Sequence, residues 1–259
     1  MAVKHYLREW TEQPVRNILA GMVGTFALIP EVIAFSYVAG VAPEVGLFAS
    51  FVISVVIAIT GGRPGMISGA AGSVALVAAS LVHTHGLQYL LLATLLAGGI
   101  QILFGLLRLQ SIMCFVSREV ETGFVNALAI LIFSAQVPQM LHVSWQTYAL
   151  IALGLGIVYL LPRLSAAIPS PLVCIVVLTT LCIAVPMPVR VVADLGSLPT
   201  GLPHFTLPAV PLSGDALLTV LPYAFAMAMV GILESLMTAA VVDEMTDTHS
   251  SKRMECTGL

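Results

Sequence analysis

Long apolar runs joined by short polar turns organise this chain. Between Asn17 and Gly62 the only charges are Glu31 and Glu44, and none occurs from Pro64 to Leu107, Thr122 to Pro162, Leu164 to Val189 or Ala216 to Leu233. Turn residues divide these runs into eight spans: Val15 to Gly40, Val45 to Gly61, Ser68 to Val82, Leu87 to Leu107, Val120 to Leu141, Tyr148 to Leu161, Pro171 to Val185 and Leu217 to Val242. A spanning helix needs about 20 apolar residues, so the shorter runs imply tilt, bilayer thinning or a partly extended segment. The pattern predicts an all-α polytopic membrane protein. Residues 1–14 are expected at the cytoplasmic interface, 15–242 in the membrane and 243–259 as a cytoplasmic end.

Composition agrees with the pattern and charge adds orientation. Of the 259 residues 59% are hydrophobic and 9% charged, whereas a soluble domain carries about 25% charged residues. The net charge of −3 offers no basic surface for nucleic acid. With eight crossings and the N-terminus inside, Lys4, Arg8, Arg16, Arg63, Arg108, Arg118, Arg163, Lys252 and Arg253 all fall on the cytoplasmic side, and Arg190 alone lies outside. The positive-inside rule therefore gives an N-in, C-in topology. The opening MAVKHYLREWTEQP lacks an apolar h-region and a small-residue cleavage site, so it is not a signal peptide. The stretch from Val189 to Gly214, with Pro188 before it and Pro199, Pro203, Pro208 and Pro211 inside it, reads as an extended external loop. Cys114, Cys174, Cys182 and Cys256 have no metal or disulfide spacing and read as small packing residues.

Two carboxylates sit deep in apolar spans, Glu31 in the first and Glu234 in the eighth. A carboxylate at such depth costs at least ~2.5 kcal/mol by insertion scales, so it faces a polar cavity or takes a proton; the plainer alternative is a structural hydrogen bond to a neighbouring span. Glu234 and Thr238 are four residues apart and share a helix face that suits a proton or Na⁺. Pro30 removes a helix donor before Glu31 and frees a carbonyl, which predicts a break with backbone polar groups turned to a cavity.

The third span is too glycine-rich for an ordinary helix start. Gly61-Gly-Arg-Pro-Gly-Met-Ile-Ser-Gly-Ala-Ala-Gly-Ser-Val74 suggests a short strand over Pro64 to Ser68, then a half-helix opening near Ala70. The amides of Ala71, Gly72 and Ser73 would carry the positive end of its dipole, a device by which broken transporter helices hold anions. The alternative is a loop followed by a close-packed helix. Gly98, Gly99, Gly105, Gly154 and Gly156 read as helix-packing glycines. His83-Thr-His85 is placed in a short external loop with no carboxylate or cysteine near it in sequence. Asn126 and Gln136 either line a path or bridge helices. No phosphate-binding GxxxxGK[ST] string or nucleophile elbow is present, which argues against ATP-driven pumping and against an enzyme.

The strings Ile29-Pro-Glu-Val-Ile-Ala-Phe-Ser-Tyr-Val-Ala-Gly40, Ala42-Pro-Glu-Val-Gly-Leu-Phe48, Gly61 to Gly72, Gly123-Phe-Val-Asn-Ala-Leu-Ala-Ile-Leu-Ile-Phe-Ser-Ala-Gln136 and Gly231-Ile-Leu-Glu-Ser-Leu236 together resemble spans one, two, three, five and eight of the SulP anion transporters, bacterial relatives of the SLC26 proteins. The resemblance implies a fourteen-span domain of two inverted seven-span repeats, homodimeric in the full-length protein, with anions held between facing half-helices of spans three and ten. By position it assigns anion contacts to Ala71, Gly72 and Ser73, cavity lining to Glu31 and Phe35, and coupling to Glu234. Glu31 stands where many relatives have Gln, and its negative charge would repel an anion unless protonated. The chain stops where span nine would begin, before span ten and the cytoplasmic STAS domain, so it is expected not to transport alone.

Secondary transport of a small inorganic anion such as sulfate or bicarbonate, coupled to H⁺ or Na⁺ through Glu234, is the leading expectation. No other cofactor is implied. The rival is a nucleobase:cation symporter of the same architecture, which needs side chains able to read a base; the small residues at the span-three opening favour a compact anion. A non-transporting membrane fragment is the remaining alternative.

Overall fold

The computed structural model describes residues 13–60, 65–107, 118–164, 170–191, 194, 201–203, 207–210 and 213–247. Among them are eight α-helices: α1 Pro14–Ala39, α2 Pro43–Thr60, α3 Gly72–His85, α4 Leu87–Leu106, α5 Arg118–Met140, α6 Trp145–Leu164, α7 Ser170–Ala184 and α8 Gly214–Thr246. A helix lies at each expected span, with ends shifted by a few residues. Helices α1, α2, α4, α6 and α8 are long and apolar enough to cross a bilayer. The interfacial segment 1–12, the cysteines Cys114 and Cys256, and Lys4, Arg8, Arg63, Arg108, Lys252 and Arg253 lie outside the described residues.

Local chemistry explains the joints. Helix α1 ends at Gly40, whose φ of +74° suits a residue without Cβ. Its amide donates to the Tyr37 carbonyl and that of Val41 to the Ser36 carbonyl, the paired bonds of a Schellman cap. Two residues later Pro43 opens α2 from the first position, where its missing N–H costs nothing, and Glu44 sits in the first turn against the helix dipole. Helix α8 is capped by Ser213, whose hydroxyl accepts from the Ala216 amide at 3.3 Å.

The chain divides into two compact units, one of residues 1–31 and 137–191 and one of residues 32–136 and 192–259. In the first, α6 and α7 pack closely because Gly154 has no side chain: a Cβ there would lie 3.3 Å from both Cys174 Sγ and Leu178 Cδ1. The Cys174 thiol points at the Gly154 carbonyl, 3.8 Å away, consistent with a packing cysteine.

The core of the second unit is formed by α3, α4 and α8. Leu81, Leu92, Ala93, Ala97, Val220, Ala224, Met227 and Ala228 are buried together there. Buried positions along α8 recur at three- and four-residue steps from Ala216 to Ala239, so one stripe of a 33-residue helix faces the unit. Most are small, which lets backbones approach where the hydrophobic effect offers little drive between helices in lipid. A second cluster joins Phe35 and Ala39 of α1 to Ala75 and Ala78 of α3.

Four expectations need correction. No strand is present among the described residues: Met66–Ala71 is non-helical without a ladder, because hydroxyls of α2 meet its backbone groups instead. Pro30 does not break α1, which continues through it to Ala39; the loss of one donor is tolerated within an otherwise bonded helix. His83 and His85 lie in the last turn of α3 rather than in a loop, since the helix runs on to its stop at Gly86, φ +82°. Of the packing glycines, Gly98, Gly99 and Gly156 face open space in this chain, whereas Gly154 is in close contact.

Candidate functional site at the start of the half-helix

Helix α3 has 14 residues, a length of about 21 Å against a hydrocarbon thickness of about 30 Å. It is therefore too short to cross that layer alone, and it starts at Gly72, two residues later than expected. Ala71 is the N-cap, in an extended conformation and with no side-chain cap. The first intrahelical bond runs from the Ala75 amide to the Ala71 carbonyl at 2.9 Å, so the amides of Ala71, Gly72, Ser73 and Val74 belong to the turn that has no preceding carbonyls to pair with. Together they form the positive end of the helix dipole.

Gly72 is enclosed. A Cβ on it would lie 2.7 Å from Phe35 Cε1 and 2.8 Å from Ile132 Cδ1, so even alanine would push on the aromatic ring of α1 and a methyl of α5. Phe35 is thus beside the start of α3. Ile132 is an addition that its apolar surroundings in sequence did not single out. One turn further along α5, Gln136 has a buried amide nitrogen with no hydrogen-bond partner, while Asn126 is exposed.

Ser73 is buried and its hydroxyl donates to Glu234 Oε2, joining α3 to α8 across 161 positions of sequence. The sequence placed Ser73 and Glu234 in one site through different roles; the structure links their side chains directly. Thr238, by contrast, is exposed, and its hydroxyl donates to the Glu234 backbone carbonyl at 2.9 Å. It shares the helix face with Glu234 as expected, yet its proton is committed to the helix and only the oxygen lone pairs remain for an ion. Glu31 is exposed one turn before Phe35.

Three further contacts surround the site. Ser54 Oγ donates to the Ser68 carbonyl at 2.7 Å and Ser50 Oγ accepts from the Ala70 amide at 2.9 Å. On α8, Gly231 admits the Gln101 amide, whose Nε2 would be 2.8 Å from a Cβ at that position. Neither the serines nor Gln101 were candidates. Their only sequence signal was polarity inside an apolar run, which Ser and Gln share with many helix-packing positions.

A broken helix opening inside an apolar helical bundle, with a carboxylate at its first turn, defines a multi-pass membrane protein of transporter architecture. The sequence model of the Sulfate permease family matches residues 15–154 and 141–259, and the chain belongs to that family. It is 52% identical over 251 residues to the putative sulfate transporter YbaR of Bacillus subtilis, covering 97% of this chain and 52% of that protein. It is 24% identical to the bicarbonate transporter BicA of Picosynechococcus over 93% of this chain and 48% of the relative. The chain spans about half the length of the curated relatives it matches. Among solved structures it resembles the transmembrane domain of a cyanobacterial bicarbonate transporter BicA, with a TM-score of 0.75 and 26% identity over 94% of this chain and 70% of that one. The murine Solute Carrier 26 family member A9, in its inward-facing state, shares the fold at a TM-score of 0.73 and 16% identity, covering 96% of this chain and 50% of that one.

Proposed function

We propose that this chain forms part of a secondary transporter for a small inorganic anion of the sulfate or bicarbonate kind, coupled to H⁺ or Na⁺ through Glu234. The observation that carries the reading is the uncapped start of the short helix α3, lined by Gly72 and Phe35 and tied through Ser73 to Glu234. Amides without intrahelical partners at the positive end of a helix dipole attract an anion without needing a cationic side chain. The carboxylate then has a defined task. Placing an anion beside an ionised Glu234 brings two negative charges together at low dielectric, where their repulsion is far stronger than in water. A proton or cation on Glu234 relieves that repulsion, so anion and coupling ion are bound together. The names of the relatives, sulfate and bicarbonate transporters, support the substrate class.

The small residues at the opening argue against a nucleobase, which requires paired side-chain acceptors and donors to be read. The site consists of Ala71, Gly72 and Ser73 amides with Phe35, and Glu31 is assigned to the cavity on α1 next to it. The proposal includes a plasma-membrane location, an N-in and C-in topology, and a homodimer in the full-length protein. The deciding experiment is uptake of radiolabelled sulfate, bicarbonate and uracil into proteoliposomes carrying the full-length protein, at two proton and two sodium gradients. Saturable anion uptake that rises with one gradient is expected; uptake of uracil alone would replace this reading with the nucleobase one.

A further inference from the structure

The segment Met66–Ala71 brings non-helical backbone to the opening of α3, and in a membrane such backbone persists only where its polar groups are satisfied. On extended chain, alternate residues direct their N–H and C=O groups to the same edge. At Ser68 and Ala70 that edge faces α2. There Ser54 supplies a donor to the Ser68 carbonyl at 2.7 Å, and Ser50, 5% exposed, supplies an acceptor to the Ala70 amide at 2.9 Å. The two serines are four residues apart and therefore stacked on one face of α2. Two hydroxyls of a helix thus take the place of a neighbouring strand.

Among the described residues Ser144 makes one comparable bond, to the Pro188 carbonyl at 3.0 Å, but most helical hydroxyls stay within their own helix. Ser36, Thr60, Thr94, Thr219 and Thr238 each donate to the carbonyl four residues back in their own helix, the ordinary fate of such groups in helices. Ser54 instead reaches across to another element, and Ser50 receives a bond from it. The anchored amide, Ala70, immediately precedes the N-cap Ala71, which has no side-chain cap of its own. Where the amides of Ala71 to Val74 point therefore depends on where α2 holds Ala70.

We propose that Ser50 and Ser54 are positioning residues that pre-organise the α3 amide cradle and so set its affinity for an anion. This rests on the transport reading above. The serines hold the cradle in its binding geometry before the anion arrives, so that little ordering cost falls on binding. Ser50 carries the larger share, because it fixes the residue next to the cap.

The test compares Ser50→Ala, Ser50→Thr and Ser54→Val in the full-length protein. Hydrogen exchange without anion reads the clamp, and sulfate and bicarbonate uptake in proteoliposomes reads the cradle. Loss of one such bond corresponds to roughly a fivefold to tenfold change. Ser50→Ala is expected to speed exchange at Ser68–Ala71 and to raise KM by that factor with kcat within about twofold, while Ser50→Thr stays near the parent in both. Ser54→Val is expected to act in the same direction with a smaller effect, and it carries the test if Ser50→Ala does not insert. Faster exchange with unchanged KM would make the serines structural only, and unchanged exchange would remove the clamp itself; either outcome overturns the proposal. If the parent protein takes up neither anion, the transport reading fails instead, and the exchange data still report whether the serines hold the segment.

Discussion

At the scale of single residues, the chemistry concentrates on Ser73 and Glu234. Glu234 was legible in the sequence because a carboxylate inside an apolar run is expensive and must be compensated. Its partner was not legible, since any of the hydroxyls along the chain could have served and only the packing of α3 against α8 selects Ser73. The same limit applies to Ser50 and Ser54: a serine that bonds its own helix and one that braces a neighbour look alike in sequence. Glu234→Gln keeps the size of the side chain and can still accept from Ser73, but it can no longer gain or lose a proton. In the full-length protein it is expected to abolish gradient-driven accumulation of anion while membrane insertion and downhill anion exchange persist. Accumulation at the parent level in a proteoliposome flux assay would rule out the coupling role.

At the scale of elements, small residues decide which helices touch. Sequence pointed to Gly154, to Gly105, which is buried in α4, and to Gly98 and Gly99, which prove open, but not to Gly46 or Gly231. A glycine flanked by apolar residues gives no sign of what stands opposite it. At Gly46 of α2 the opposing atom is Ser36 Oγ of α1, which would lie 1.9 Å from a Cβ, with a Val32 methyl at 3.2 Å. Gly46→Ala is therefore expected to part α1 from α2 and to destabilise by about 1–3 kcal/mol, the usual cost of overpacking. Adding Ser36→Ala removes the colliding oxygen and is expected to recover most of that loss in a detergent thermal-unfolding assay. A double variant no more stable than Gly46→Ala alone would place the strain elsewhere. The α3 opening belongs to this scale too. Its existence followed from the glycine-rich approach, whereas its braces came from α2, the preceding helix, and from α8, which lies 161 positions further along the chain.

At the scale of the whole molecule, topology rests on charge. Arg163 ends α6 in its last turn and Arg190 follows α7, so the N-in, C-in arrangement expected from charge would place them on opposite faces of the membrane. Arg163→Cys is expected to react with an impermeant thiol reagent only in opened cells, and Arg190→Cys in intact ones, each in a background where Cys114, Cys174, Cys182 and Cys256 are replaced by Ala. The reverse pattern would invert the topology. The apolar runs by themselves determined the eight helices and the membrane setting, because a helix that meets lipid must be apolar over its whole length and satisfies its backbone internally. The glycine-rich approach to span three likewise determined that a helix must start late. What sequence could not decide was which side chains close around that start. The third-span strand, the break at Pro30 and the loop at His83 were all expectations about local backbone, and each was settled by partners from elsewhere in the chain or by a helix that simply continued. Hydrogen bonds such as Ser54 to Ser68 and Ser73 to Glu234 depend on where α2 and α8 pack, and that packing follows from the shapes of small side chains rather than from their order along the chain.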